Sequence, residues 1–366
     1  MNSQAASLSL PATMKAVVCH GIRDYRLEET PTPTPGPDEV VIKVHDCGIC
    51  ASDIKCYTGA PLFWGDEHRP PYVDGPVIPG HEFVGDVVAL GEGAAGKHGI
   101  ALHDRVVAEQ IVPCGACRYC LNGHYWMCMA ARVFGFKKIV HGGMAEYMKL
   151  PAPARIYKVP REISAEHAAL IEPLGCAIHA VERGDVKLGD VVVQMGCGTL
   201  GLCMVAATRL KNPGLLIAMD LIDYRLELAE QFGADVTVNP AKEDAVQRVR
   251  DLTDGYGCDV LIEATGNAEA ITPALHMMRK LGTFVEFSVM RDLSTADWTI
   301  IGDAKELNIH GAHLAPYTFP IAIDYLARGL IRIEPIVTHA FPLSAFEKGF
   351  HAVENPADSI KVLLRP

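Results

Sequence analysis

The chain has 366 residues, 49% of them hydrophobic, which is enough apolar surface for two packed cores rather than one. Its formal charge of −11 comes without clustered Lys and Arg, so a partner held through a phosphate backbone is excluded and a small molecule is expected. No apolar run reaches the ~18 residues of a membrane span, and "MNSQAASLSLPATMKAVVCHG" lacks the basic region and apolar core of a secretory signal, so a cytoplasmic protein is expected.

Residues 1–13 read as a mobile extension. From Met14 to about Tyr157, short β-type runs ("MKAVVCH", "EVVIKVHDC", "FVGDVVAL", "RVVAEQIV", "AEYMKL") alternate with turns rich in Gly, Pro, Asp and Asn, the pattern of a compact all-β unit. Ser164 reads as a helix cap, and "SAEHAALI" as a helix interrupted at Glu172-Pro173, with "PLGCAIHAVERG" a second helix after the break. Beyond it, strand candidates "DVVVQM", "LLIAMD", "DVTVN", "CDVLIEAT" and "GTFVEFSVM" alternate with helical "LGLCMVAATRLK", "YRLELAEQFG", "KEDAVQRVRDLT" and "NAEAITPALHMMRKLG". That order predicts a doubly wound parallel sheet, giving an α/β unit after the β unit.

Within that sheet, "QMGCGTLGLCM" sets Gly196, Gly198 and Gly201 in G-x-G-x-x-G form between a strand and a helix. The first glycine makes the tight turn, the second admits a pyrophosphate to the backbone, and the third lets helix pack on strand. Cofactor contacts are expected at Gly196, Gly198, Thr199, Leu200 and Gly201, with Asp220 and Arg225 beyond the next strand. A carboxylate at Asp220 accepts both ribose hydroxyls and repels a 2′-phosphate, which favours NAD over NADP.

"CGACRYCLNGHYWMC" supplies Cys114, Cys117, Cys120 and Cys128, spaced C-x2-C-x2-C-x7-C. Four thiolates on one loop suit a closed tetrahedral zinc site with a structural role. A ferredoxin-type run has its fourth cysteine after three residues with proline next, unlike the gap here, and disulfides conflict with a reducing compartment. The remaining chemistry-bearing residues are Cys50, Ser52 and Asp53 in "CGICASD", His81 and Glu82 in "PGHEFVG", and Glu172 in "ALIEPLGC". In a regular strand His81 and Glu82 would point to opposite faces, so that stretch must bend or one of the pair must serve elsewhere. Singly these residues read as core filler; together, ahead of a dinucleotide fingerprint, they read as a site.

The series "CGICASD", "PGHEFVG", the four-cysteine loop, "IEPLGCAIHA", "GCGTLG" and "THAFPL" resembles, from about Met14 to Pro366, the zinc-dependent medium-chain dehydrogenases/reductases, closest to the sorbitol, xylitol and threonine dehydrogenase branch. The resemblance implies a GroES-like barrel as catalytic domain (1–175), a Rossmann NAD-binding domain (176–315) and a return to the catalytic domain (316–366). It implies two zinc ions, one structural and one catalytic, the latter held by Cys50, His81 and a carboxylate, Glu82 or Glu172. It implies Ser52 as proton relay, with Lys55 standing where many relatives carry histidine, and a homo-oligomer, dimer or tetramer. Asp53 reads as the residue that orients the ligand imidazole.

The segment from Tyr57 to Ile78, longer than in many relatives, is expected to wall the substrate site, with Phe63 and Trp64 either lining it or anchoring the loop against the barrel. Leu314-Ala315 stands where sorbitol dehydrogenases typically carry Arg-Tyr, which turns the reading from a long polyol to a four-carbon one. The expected reaction is oxidation of a secondary hydroxyl of erythritol or threitol to the ketose; xylitol, sorbitol or threonine is the alternative on the same chemistry.

Overall fold

The computed structural model describes residues 6–290 and 292–366. These divide into two units: the first runs to Glu172 and resumes at Ala315, and the second is Pro173–Leu314.

In the first unit β1 (Ala6–Ser7), β2 (Thr13–Gly21), β3 (Asp24–Pro31), β4 (Val40–Ile49), β5 (Glu82–Leu90), β6 (Arg105–Ala108), β7 (Tyr147–Leu150) and β8 (Ile156–Lys158) alternate with short helices. Valine, isoleucine and methionine at β4, β5 and β7 bury the sheet, and β4 is the strand on which β5, β7 and the chain's last strand all pair. The unit is not purely β, because helices at Ala51–Tyr57, Pro61–Trp64 and Ala94–His98 fill its connections. Nor is all of 1–13 a loose extension: Ala6 and Ser7 pair with Leu90 and Ala89, and β2 opens at Thr13, while residues 1–5 lie outside the described residues.

The second unit is a six-stranded parallel sheet of β9 (Val191–Met195), β10 (Leu215–Met219), β11 (Val236–Val238), β12 (Cys258–Glu263), β13 (Met278–Glu286) and β14 (Asn308–Gly311). Its order is β11-β10-β9-β12-β13-β14. The order reverses beside β9, the position at which doubly wound sheets bind dinucleotides. Its central strands β9, β10 and β12 read as near-continuous apolar runs, as strands buried on both faces do, whereas β14 at the edge is largely exposed. The last two strands, β15 (Val337–Pro342) and β16 (Lys361–Arg365), extend the first unit's sheet beside β4.

Two local expectations are corrected. The helix does not break at Glu172-Pro173: Ser164 caps a short helix Ala165–Ala168, and a new one runs Ile171–Arg183, with both residues in its first turn. Proline is tolerated there because first-turn N–H groups have no intrahelical acceptor. The helix expected through "MRKLG" stops at Met277, where Lys305 Nζ donates to the carbonyls of Leu275 (2.7 Å), His276 (3.1 Å) and Met278 (2.6 Å); β13 then starts at Met278, paired with Cys258.

Candidate functional site

The pairing of His81 with Glu82 is resolved by where β5 begins. Gly80 turns the chain with φ +96°, a conformation open to glycine, and a Cβ there would meet the Cys47 sulfur. His81 therefore stands just before the strand, and Glu82 is its first residue. Cys50 caps the helix Ala51–Tyr57 from the end of β4, and its backbone N–H donates to Asp53 Oδ2 (2.9 Å). The donor atoms of Cys50, His81 and Glu82 all lie within 4.8 Å of one another.

Charge pairing and hydrogen bonds hold this cluster, although His81 Nδ1 and Asp53 Oδ1 are buried without a hydrogen bond. His81 Nδ1 faces Asp53 Oδ1 at 3.6 Å, and Ser52 Oγ lies 3.5 Å from Nε2. Burial opposes a charge on His81, yet Asp53, Cys50 and Glu172 outweigh it and hold its pKa well above the ordinary histidine value; the same negative surroundings suit a cation. Glu82 accepts two hydrogen bonds from Lys361 Nζ (2.8 and 2.5 Å), and Lys361 also donates to the Ile49 carbonyl. Burial pulls the Lys361 pKa down, but Glu82, Cys50 and Glu172 more than offset it, so the amine stays charged. A Cβ at Gly48 would overlap the Glu82 carboxylate, so that glycine makes room for the ion pair. Glu172 accepts a 2.6 Å hydrogen bond from Gln110 Nε2. Among the described residues Glu172 is outside the 4.8 Å donor group.

The donor set fits a zinc ion: one thiol, one imidazole turned by a carboxylate, and carboxylate oxygen nearby. The four-cysteine loop fits one as well. Its sulfurs approach to 3.6 Å (Cys117, Cys120) and 4.0 Å (Cys114, Cys120), and a tetrahedron with metal–sulfur bonds of about 2.3 Å has edges of about 3.8 Å. Backbone N–H groups donate to these sulfurs, from Cys114 to Cys128 (3.3 Å) and from Ala116 and Cys117 to Cys114 (3.4 and 3.3 Å). Such donors, chiefly the N–H groups at Cys120 and Met129, push the Cys117 thiol down to about 6, favouring the thiolate a metal requires. None of the twelve cysteines is in a disulfide, and Cys19, Cys47, Cys56, Cys176, Cys197, Cys203 and Cys258 are buried.

In the second unit the three glycines differ as their roles require. A Cβ on Gly201 would overlap the Gly196 carbonyl, Gly196 itself has φ +87°, and a Cβ on Gly198 would meet only the Arg225 guanidinium at 3.8 Å. The middle glycine is thus the one that faces open space, a cradle suited to a pyrophosphate. Thr199 and Leu200 open the helix Thr199–Arg209, whose first-turn N–H groups favour an anion. Asp220 is oriented by the N–H groups of Cys197 (2.8 Å) and Ile222 (3.0 Å), with Arg225 3.9 Å away.

Of the two readings of Phe63 and Trp64, the anchoring one agrees with their contacts. Phe63 is buried, stacked on Phe136 at 5.1 Å, and Trp64 donates its indole N–H to the Cys56 carbonyl (2.6 Å), so both anchor the segment to the unit. Phe136 in turn packs 5.5 Å from the His81 ring. Two residues of the cluster, Gln110 and Lys361, were not expected. Their signal was a polar residue in an apolar run, "AEQIV" and "SIKVLL".

Residues 36–161 match the model of the alcohol dehydrogenase GroES-like domain, and residues 199–328 that of zinc-binding dehydrogenases. The chain is 50% identical to an erythritol/L-threitol dehydrogenase of Mycolicibacterium smegmatis, over 98% of this chain and 99% of that one. Among solved structures, a zinc-binding dehydrogenase of Sinorhizobium meliloti 1021 bound to NADP superposes with TM-score 0.87 at 30% identity, covering 97% of this chain and all of that one. An alcohol dehydrogenase of Escherichia coli CFT073 complexed with NADH gives 0.86 at 29% identity, again over 97% and 100%. With its four-thiol loop, its Cys50, His81 and Glu82 donor group, its glycine cradle and this full-length similarity, the chain belongs to the zinc-dependent medium-chain alcohol and polyol dehydrogenases.

Proposed function

We propose that this enzyme oxidises a secondary hydroxyl of a four-carbon polyol, erythritol or threitol, to the ketose, using zinc and NAD. The observation that carries the chemistry is the convergence of Cys50, His81 and Glu82 donor atoms within 4.8 Å; the choice of polyol rests on the full-length identity of 50% to an enzyme of erythritol and L-threitol. When bound, zinc supplies a Lewis acid that acidifies a substrate hydroxyl, and NAD supplies a hydride acceptor.

The chain's own residues do the rest. Cys50 and His81 hold the metal, with Asp53 keeping the imidazole turned so that Nε2 faces inward. Glu82 and Glu172 are the two carboxylates available to the metal or to the second hydroxyl of a vicinal diol. Ser52 Oγ, 3.5 Å from His81 Nε2, takes up the proton a substrate hydroxyl gives up as its own proton moves on, and Lys55, three residues on along the same helix, is the next group of the relay, accepting that proton as the neutral amine. Gly196, Gly198, Thr199, Leu200 and Gly201 carry the cofactor pyrophosphate, and Asp220 the adenosine ribose, beside Arg225.

Relatives bound to NADP and to NADH both occur, and the oriented carboxylate of Asp220 supports NAD here. No helix among the described residues is long and apolar enough to cross a membrane. The reading is completed by a cytosolic location and a dimer or tetramer. The test is kcat/KM for ethanol, erythritol, both threitols, xylitol, sorbitol and threonine with NAD and with NADP. Superiority of a four-carbon polyol with NAD is expected; superiority of sorbitol, ethanol or threonine over every four-carbon polyol retires the substrate assignment.

A further inference from the structure

Gln110 lies just past the end of β6, fully enclosed, with Glu109 beside it. The backbone at this point is held on both sides: Glu109 N–H donates to the Arg155 carbonyl (3.0 Å), Phe134 N–H to the Gln110 carbonyl (2.9 Å), and Val112 N–H to the Arg132 carbonyl (2.8 Å). The two side chains are put to different uses. Glu109 accepts from Arg155 Nε (3.1 Å) and Tyr157 OH (2.7 Å), which anchors residue 109, while Gln110 delivers Nε2 to Glu172 Oε1 at 2.6 Å. An ionised carboxylate only accepts hydrogen bonds, so it fixes the amide with its nitrogen inward. An amide on so braced a backbone fixes the carboxylate in return.

We propose that Gln110 is a positioning residue for the reaction: it acts through Glu172, setting where that carboxylate stands in the metal and substrate site. Glu172 is in the first turn of a helix and has two freely rotating side-chain bonds beyond Cβ, so its position is not dictated by its own backbone. The donor from residue 110 selects one rotamer from several. The inference rests on the proposed function, because it takes Glu172 to be a site residue.

The test uses the full-length enzyme, loaded with zinc for kinetics and with cobalt(II) at the catalytic site for absorption spectra. Partners of this kind are worth about 10–100-fold in metal affinity or activity. Gln110→Leu is expected to lower kcat/KM for the preferred polyol at least tenfold, to shift the cobalt d–d bands, and to hasten loss of the catalytic metal to a chelator. Gln110→Asn, too short by one methylene to reach, is expected to do the same, and serves if the leucine variant does not fold. In a Glu172→Ala background the Gln110 substitution should change the cobalt spectrum and the kinetics by less than twofold, since the residue through which it acts is gone. Wild-type bands and metal loss in both Gln110 variants overturn the proposal, as does an undiminished effect in the Glu172→Ala background. If the wild type fails to oxidise any polyol, the substrate reading falls, while the cobalt spectra still decide the role of Gln110.

Discussion

Asp220 is set over the glycine turn by two backbone N–H groups, so its charge is directed before any cofactor arrives. Asp220→Ser is expected to weaken NAD use about tenfold, roughly 1.4 kcal/mol, and to narrow the gap to NADP by removing the repulsion of a 2′-phosphate while keeping a hydroxyl acceptor. Steady-state kinetics with both cofactors checks this; a wild type that prefers NADP contradicts it. Residues of this sort were legible because a short motif places them: a strand, a glycine turn, a helix and a strand-end acid fix their own geometry. Cys50, His81 and Glu82 were legible only as a group, since nothing local says that positions 50 and 81 meet. Gln110 and Lys361 were hidden, because their partners Glu172 and Glu82 lie far along the chain and a lone buried amide or amine carries no spacing signature. What betrays Lys361 is cost: an amine at 3% exposure needs a compensating charge.

At the scale of elements, the four-cysteine lobe has little apolar interior of its own; Leu121, Met127 and Met129 are exposed. It is held instead by sulfur and by Tyr125, whose hydroxyl accepts from the Tyr317 N–H (2.8 Å) while the Arg155 guanidinium lies 4.4 Å above its ring. A closed metal site contributes folding energy outright in such a lobe. Cys117→Ala is therefore expected to remove one of two zinc equivalents and to lower the thermal midpoint by several degrees. Cys50→Ala should remove the other equivalent and turnover with little change in midpoint. Metal analysis with calorimetry checks both, and a wild type holding one zinc per chain in active preparations contradicts the pair. The lobe was legible because cysteine spacing is a direct record of coordination. The ends of helices were less so: the stop at Met277 is imposed by Lys305, twenty-eight positions downstream, and the run through Pro173 by a first turn that tolerates proline.

Across the whole molecule, β16 is bonded on both sides, parallel to β15 and antiparallel to β4, where Val362 pairs Ile49 next to Cys50. Val362, Leu363 and Leu364 are completely enclosed. At ~1.5–3 kcal/mol per buried side chain they account for roughly 5–9 kcal/mol, comparable with the net stability of about 5–15 kcal/mol of a folded protein. Ending the chain after Ser359 is thus expected to abolish a folded first unit, as monitored by circular dichroism and metal content. The six-stranded sheet of the second unit was readable from alternating strand and helix patterns; the return of β15 and β16 to the first unit was implied only by resemblance, because strand pairing across hundreds of residues leaves no mark in local periodicity. The split layout also has a consequence in time. The second unit is one continuous segment, while the first is made of the beginning and the end, so a nascent chain completes its nucleotide-binding half while Glu82 still waits for Lys361. During that interval the early strands carry an unmatched carboxylate and an open sheet edge, which makes this stretch of translation the period when the polypeptide most needs shielding from its neighbours.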